Sequence, residues 1–203
     1  MRVMTFNLRY SNTGDGPNSW PYRKAWVAQL IRFHDADVIG VQEALSGMLA
    51  DLDTLLPEYS RVGVGRTDGK MDGEYSAILY KRDRIEALES KTFWLSPTPE
   101  VPGSKGWDAA LERIATWGRF RDRATGCEYV HLNTHFDHKG EEARQQLKTF
   151  ALALLGVELH AHDRAAPDGA REALRAVLRR PGHDARVGGV GRERVREVEP
   201  VRQ

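Results

Sequence analysis

Asp37-Val38-Ile39-Gly40-Val41-Gln42-Glu43 is the stretch on which the fold turns. Its apolar residues run together rather than alternating. A run this short cannot be a long helix, and a strand with one wet face would alternate. The pattern therefore predicts a strand over Ala36–Gln42 buried on both faces. Upstream, Pro21 suits the first turn of a helix. Trp26, Leu30 and Phe33, with Val27 and Ile31, keep helical spacing from there to about His34. Arg2–Tyr10 is rich in β-formers and reads as a strand. Asn12–Ser19 reads as a loop of Gly, Asn, Asp and Pro. Downstream, Ser46 is placed to cap a second helix carrying Leu49, Leu52, Leu55 and Leu56.

The period then changes. Tyr59–Val64, Tyr75–Tyr80, Ile85–Leu95, Ile114–Arg121 and Tyr129–His135 read as strands. Lys81-Arg82-Asp83-Arg84 and Arg123-Ala124-Thr125-Gly126 are the turns between pairs. Asp68–Gly73 and Ser96–Gly106 read as loops. Glu141–Leu155 reads as a helix and Asp168–Arg180 as a weaker one. This order predicts an α/β protein with a mixed sheet and flanking helices.

The chain has 203 residues, with 40% hydrophobic and 29% charged, which suits one globular domain. A net charge of +1 provides no bulk field for nucleic acid. The lone Cys127 excludes an intrachain disulfide and a Cys-rich zinc site. No apolar run is long enough to span a membrane. Met1 leads into a strand-forming segment with no apolar leader, so the cytoplasm is the expected location.

Composition breaks near residue 150. Every Phe, Trp and Tyr precedes it, and residues 151–203 use only ten residue types. Those ten are the amino acids encoded by codons beginning with G or C. A GC-rich gene read out of frame produces this set, so 147–203 is expected to be an out-of-frame tail. A natural Ala/Arg-rich helical or disordered segment is the alternative. The DNA beyond codon 147, read in all three frames, separates the two.

Several polar residues sit where chains of this kind open their sites. Asn7 stands near the end of the first strand, where Asn is a poor β-former; it is either an edge or capping residue or a functional one. Glu43 directly follows the buried strand. It is either a solvated loop acid or a ligand for Mg²⁺, which favours hard oxygen donors. Glu74 opens a strand, either as a surface acid or as the partner that fixes a histidine tautomer. His135, Asp137 and His138 crowd one strand end, and alternation would put His135 and Asp137 on one face. No second Cys or His cluster completes a zinc site there. Arg113 is either a surface ion pair or a bidentate phosphate ligand. His162-Asp163 and His183-Asp184 would suit an all-helical metal phosphohydrolase, a fold that the strand-rich body argues against.

Together, Met4-Thr5-Phe6-Asn7-Leu8-Arg9, Val41-Gln42-Glu43, Gly65-Arg66-Thr67-Asp68-Gly69-Lys70 with Gly73-Glu74, and Asn133-Thr134-His135-Phe136-Asp137-His138 resemble the endonuclease/exonuclease/phosphatase superfamily. Phe93-Trp94-Leu95-Ser96 and Arg113-Ile114-Ala115-Thr116-Trp117 resemble a bacterial branch of it. The resemblance covers about residues 1–146. It implies the N-terminal half of a four-layer α/β sandwich, and metal-dependent hydrolysis of a phosphodiester or phosphomonoester. Nucleic acid, nucleotide, inositol phosphate and phospholipid are not distinguished as substrates. It further implies Glu43 and Asn7 as the Mg²⁺ shell, with Mn²⁺ the other candidate ion. Asn7, Glu74 and His135 become the catalytic set, and Arg113, His138 and Arg144 face substrate.

The resemblance also implies a second half with a Gly-Asp-x-Asn segment and a late Asp-His pair. Neither occurs in 147–203. The expectation is therefore half a site, an uncovered inner sheet face, poor solubility and little or no catalysis. A non-catalytic phosphate- or partner-binding protein is the alternative function.

Overall fold

A computed structural model describes residues 1–146. The helix expected from Glu141 is present over 141–146; its continuation, the Asp168–Arg180 helix and the compositional tail lie outside the described residues.

The chain begins with β1 (Val3–Asn7), a 3₁₀ segment (Thr13–Asn18), α1 (Trp20–His34), β2 (Val38–Gln42) and α2 (Ser46–Leu55). β3 (Tyr59–Val62) and β4 (Ile78–Lys81) follow, then β5 (Ile85–Trp94), β6 (Ile114–Asp122) and β7 (Glu128–Thr134). The first sheet has the order β1-β2-β4-β3. β1 and β2 are parallel and the other pairs antiparallel, so the sheet is mixed as expected. The second sheet is the antiparallel meander β5-β6-β7.

β2 is buried at every position. Side chains alternate across a strand, so Ile39 and Val41 face one way while Val38, Gly40 and Gln42 face the other. Ile39 and Val41 join Val27, Ala28 and Ile31 of α1 and Met48, Leu49 and Leu52 of α2 in one core. Val38 and Ile78 join Ile85 and Phe120 of the second sheet in another. Helices, first sheet and second sheet thus form three stacked layers.

This corrects the expectation of an uncovered inner face in part. β5–β7 provide a partner sheet that covers β2 and β4, whereas Val3, Thr5 and Asn7, on the same face of β1, stay exposed. The strand pattern located β5–β7 but could not say whether they extend the first sheet or stack on it.

Other elements shift for local reasons. Ser46 is the first helical residue, not the cap; Leu45 takes the cap position without a side-chain bond. The strand expected from Tyr75 begins at Ile78, with Tyr75 held in a single bridge to Ala44. β3 ends at Val62, before Gly63 at φ 128. In α1 it is Trp20, Val27, Ala28 and Ile31 that pack inward. Trp26 and Phe33 are 73% and 80% exposed.

Asn133 of β7 ties the two sheets. Its amide donates to the carbonyls of Val41 and Ala77, both at 2.8 Å, and accepts from Gln42 Nε2 at 2.7 Å. The space for this side chain exists because residue 40 has none: a Cβ there would lie 2.7 Å from Asn133 Oδ1. Gly40→Ala must therefore push Asn133 away and strip its buried amide of its partners, while the Ala77 carbonyl keeps the Val41 N–H. Each such loss costs about 1–3 kcal/mol. A lower urea midpoint with an unchanged slope is the expected result. An unshifted midpoint would show that the tie adds nothing.

Candidate active site

The candidate residues gather at the end of the sheets where β1, β2 and β7 finish. β1 ends at Asn7 and its parallel neighbour β2 at Gln42, so Asn7 and Glu43 emerge side by side. Asn7 Nδ2 donates to Glu43 Oε1 at 2.8 Å, and the Tyr10 N–H donates to Glu43 Oε2 at 3.1 Å. The Arg9 N–H donates to Asn7 Oδ1 at 2.8 Å, which fixes the amide orientation. Glu43 itself has φ 59, a left-handed conformation that non-glycine residues adopt at a cost. Burial works against its charge, but Asn7, Tyr10, His135 and Arg9 outweigh it and hold the carboxyl below its ordinary range.

His135 lies one residue beyond β7. Its Nε2 is 4.0 Å from Glu43 Oε1, so the second sheet meets the first at the site. Burial, then the Arg113 charge, pushes its pKa down, against the opposing pull of Glu43 and Glu74. The neutral ring is favoured.

Arg113 organises this half of the site. Its side chain is only 6% exposed. Its Nε donates to Asp137 Oδ2 at 3.1 Å, and Asp137's side chain is fully buried. Nη1 lies 3.4 Å from His135 Nδ1, and Nη2 lies 3.1 Å from His138 Nδ1. Arg144 Nη1 donates to the Asp137 carbonyl at 3.1 Å. Arg113 is therefore no surface ion pair: one edge of its fork is anchored and the other meets two imidazoles. Asp137 does not share an outward face with His135. The strand stops at Thr134, alternation stops with it, and Asp137 turns inward to Arg113.

Glu74 lines the same narrow cleft as Arg66, Arg113 and His135. Its carboxylate accepts from Arg66 Nη1 at 2.9 Å. The expected bond from Glu74 to His135 is not among those of the described residues. A guanidinium at that distance is the stronger partner for a carboxylate than a neutral imidazole. Glu74 reaches His135 only through space.

Arg66 and Asn133 are not singled out by the sequence, although both stand within the motifs quoted above. Among the described residues no group of three or more His, Cys, Asp or Glu is placed to hold a metal. The Glu43 carboxylate is a hard oxygen donor; Asn7 turns its Nδ2 to it and keeps its Oδ1 on the Arg9 N–H, so the amide would have to turn over to add a second oxygen. Such oxygens fit part of the shell of an ion that keeps several waters. No helix among the described residues is long and apolar enough to cross a membrane.

The family model described as Endonuclease/Exonuclease/phosphatase family matches residues 4–186. An endonuclease/exonuclease/phosphatase from Bacteroides vulgatus is 48% identical with a TM-score of 0.71, over 75% of this chain and 58% of that one. A mannosyl-6-phosphatase from Bacteroides thetaiotaomicron is 42% identical with a TM-score of 0.71, over 76% of this chain and 59% of that one. D. rerio TDP2 complexed with single-strand DNA product shares the fold, with 16% identity and a TM-score of 0.57 over 79% of this chain and 56% of that one. No curated protein matches the sequence. The chain spans less than two thirds of the length of these solved structures. With its motifs in order, its two stacked sheets and these likenesses, the chain belongs to the endonuclease/exonuclease/phosphatase family.

Proposed function

We propose that this chain carries the metal- and phosphate-facing part of a Mg²⁺-dependent phosphoesterase site, and that the 203 residues alone do not complete it. The observation that carries this reading is the junction of Asn7, Glu43 and His135, three residues from the ends of three strands in two sheets. Glu43, with Asn7 beside it, would hold Mg²⁺ or Mn²⁺. The ion would neutralise charge on phosphoryl oxygens and on the leaving oxygen.

This chain's own residues bind and orient. The neutral His135 presents Nε2 toward the phosphate while Arg113 holds its Nδ1 side. Arg113 and His138 add donors, and Arg144 braces the loop that carries them. Glu74 fixes Arg66 at the cleft wall. Asn7 holds the Glu43 carboxylate, so its catalytic role is shared with positioning. In the reaction a water oxygen bonds to phosphorus as the ester P–O bond breaks, and the alcohol leaves with a proton. On this reading His135 is engaged with the phosphate, and the group that takes the proton from that water belongs to the second half. The similar mannosyl-6-phosphatase supports a sugar phosphate as the first substrate class to try.

Mn²⁺ serves as a paramagnetic probe of the ion site in the full chain. Signals from Asn7 and Glu43 should broaden at substoichiometric metal, and Glu43→Gln should abolish the effect. Broadening centred elsewhere, or unchanged in Glu43→Gln, would remove the metal assignment. Tight phosphate binding that is indifferent to the metal would favour the non-catalytic alternative.

A further inference from the structure

A second cleft opens beside Asn7. It measures about 370 Å³ and is lined by Asn7, Leu8, Arg9, Asp15, Asn18 and Arg23. That is the size range of small-molecule sites. We propose that this cleft is the subsite for the neutral, polyhydroxylated alcohol of the phosphate ester. The assignment rests on the phosphoesterase reading and names the substrate part that reading leaves open.

The cleft is built, not incidental. Arg23 Nε donates to the Asn18 carbonyl at 2.9 Å, and its two Nη atoms donate to the carbonyls of Leu8 and Arg9. One guanidinium therefore clamps the end of β1 to the 3₁₀ segment. Asn12 Oδ1 accepts from the Gly14 N–H at 2.9 Å and shapes the entry to that segment. Arg9, clamped at its carbonyl, is held at φ 53. A strained non-glycine residue fixed from several sides is characteristic of a binding site.

The polar groups left in the cleft choose the ligand. Arg9 pairs with Asp15 through two bonds, Nε to Oδ2 at 3.1 Å and Nη2 to Oδ1 at 3.0 Å. The pair is neutral as a unit, which leaves the cleft one uncompensated charge, on Arg23, three of whose five N–H groups are bound to carbonyls. A phosphate backbone gains little from such a surface. A nucleobase needs an aromatic face to stack on. Among the described residues two aromatics adjoin the cleft's guanidinium groups: Trp20 is buried with Arg23 5.1 Å from its ring centre, and Tyr10 has the Arg9 guanidinium over its ring at 4.4 Å. Exposed Tyr22 lines the neighbouring groove with Pro17 and Pro21, not this cleft. What remains is a fixed carboxylate with spare lone pairs, a guanidinium edge and the Asn18 side-chain amide. The amide has no partner among the described residues. Hydroxyl groups both donate and accept, and they match this set. Asn7 lines the cleft and touches Glu43, so an alcohol here is one bond from a phosphate at the metal side.

The test uses the full chain with Mg²⁺ and three probes: inorganic phosphate, a hexose 6-phosphate and thymidine 5′-phosphate. The hexose phosphate should bind about tenfold more tightly than inorganic phosphate, the gain from one or two added hydrogen bonds. Asp15→Ala and Asn18→Ala should each return its affinity toward that of phosphate. Equal or tighter binding of thymidine 5′-phosphate, or no loss in Asn18→Ala, overturns the proposal. If inorganic phosphate itself fails to bind, the phosphoesterase reading fails and a methyl hexoside decides the subsite by saturation-transfer NMR. Transfer lost in Asn18→Ala supports the subsite, and absent transfer overturns it.

Discussion

Hydrolysis of a hexose 6-phosphate by this 203-residue polypeptide in Mg²⁺ will run at the rate of buffer alone. A protein whose frame beyond codon 147 restores a Gly-Asp-x-Asn segment and a late Asp-His pair will exceed it by about 10⁴-fold. The size of the gain follows from what is absent. On the proposed reading Glu43 and Asn7 would give the ion a carboxylate and an amide, and His135 and Arg113 would give the phosphate donors. On the proposed reading the base for the attacking water comes from the missing half, and a positioned base alone is worth about 10²–10⁴. In the restored protein, Glu43→Ala and His135→Ala should each remove most of the gain. Turnover well above buffer by the 203-residue chain, lost in Glu43→Ala, would show that these residues suffice. The downstream DNA decides the premise separately: no such segment in any frame leaves the out-of-frame reading without support.

Much of the fold was legible because burial writes itself into residue order. The unbroken Val38–Val41 run required cover on both faces, and the structure supplies helices to one and Phe120's sheet to the other. What the order could not say was that β5–β7 form that cover, since stacking and edge-pairing use the same strand pattern. Trp26 and Phe33 mislead for a related reason. They hold helical spacing, yet a stripe one position over, Val27 and Ile31, is the one that meets the sheet. At the site, residue type and strand end marked Asn7, Glu43 and His135 as candidates, and the structure brings the three together. The same argument, an Asn inside a strand, applied equally to Asn133 and would have found the cross-sheet tie. Pairings were less legible. Glu74 meets Arg66 and Arg113 meets Asp137 because loops after Thr134 and before Glu74 abandon the alternation on which face assignments depend.

Asp137→Ala should cost about 3–5 kcal/mol, the usual loss when one partner of a buried ion pair is removed. That corresponds to a Tm lower by on the order of 10 °C for a chain of this size. The carboxylate is fully buried and accepts from Arg113 Nε, from Gly140 N–H at 2.7 Å and from Lys139 N–H at 2.9 Å. Alanine would leave the guanidinium charged in the interior and three amides, of Gly140, Lys139 and Leu111, without this acceptor. An exposed pair such as Arg61–Asp53, 31% and 49% exposed, supplies the contrast: Arg61→Ala should cost under about 1 kcal/mol. Replacing both Arg113 and Asp137 by Leu removes the uncompensated charge, so it should recover much of the stability while phosphate affinity stays lost. Recovery of stability without affinity would separate the pair's structural work from its work at the site. Acid provides an independent check. Burial raises the Asp137 carboxyl, but the Gly140 and Lys139 amides and Arg113 outweigh it, and its folded pKa lies well below the usual range. The unfolded chain, with a carboxyl near 4, takes up the proton first. The stabilisation is therefore complete above about pH 4 and is lost as the pH falls toward the folded value. Wild-type urea midpoints should drop steeply below pH 4, and those of Asp137→Ala should be flatter there. Parallel curves would mean that Asp137 is no more than one acid among many.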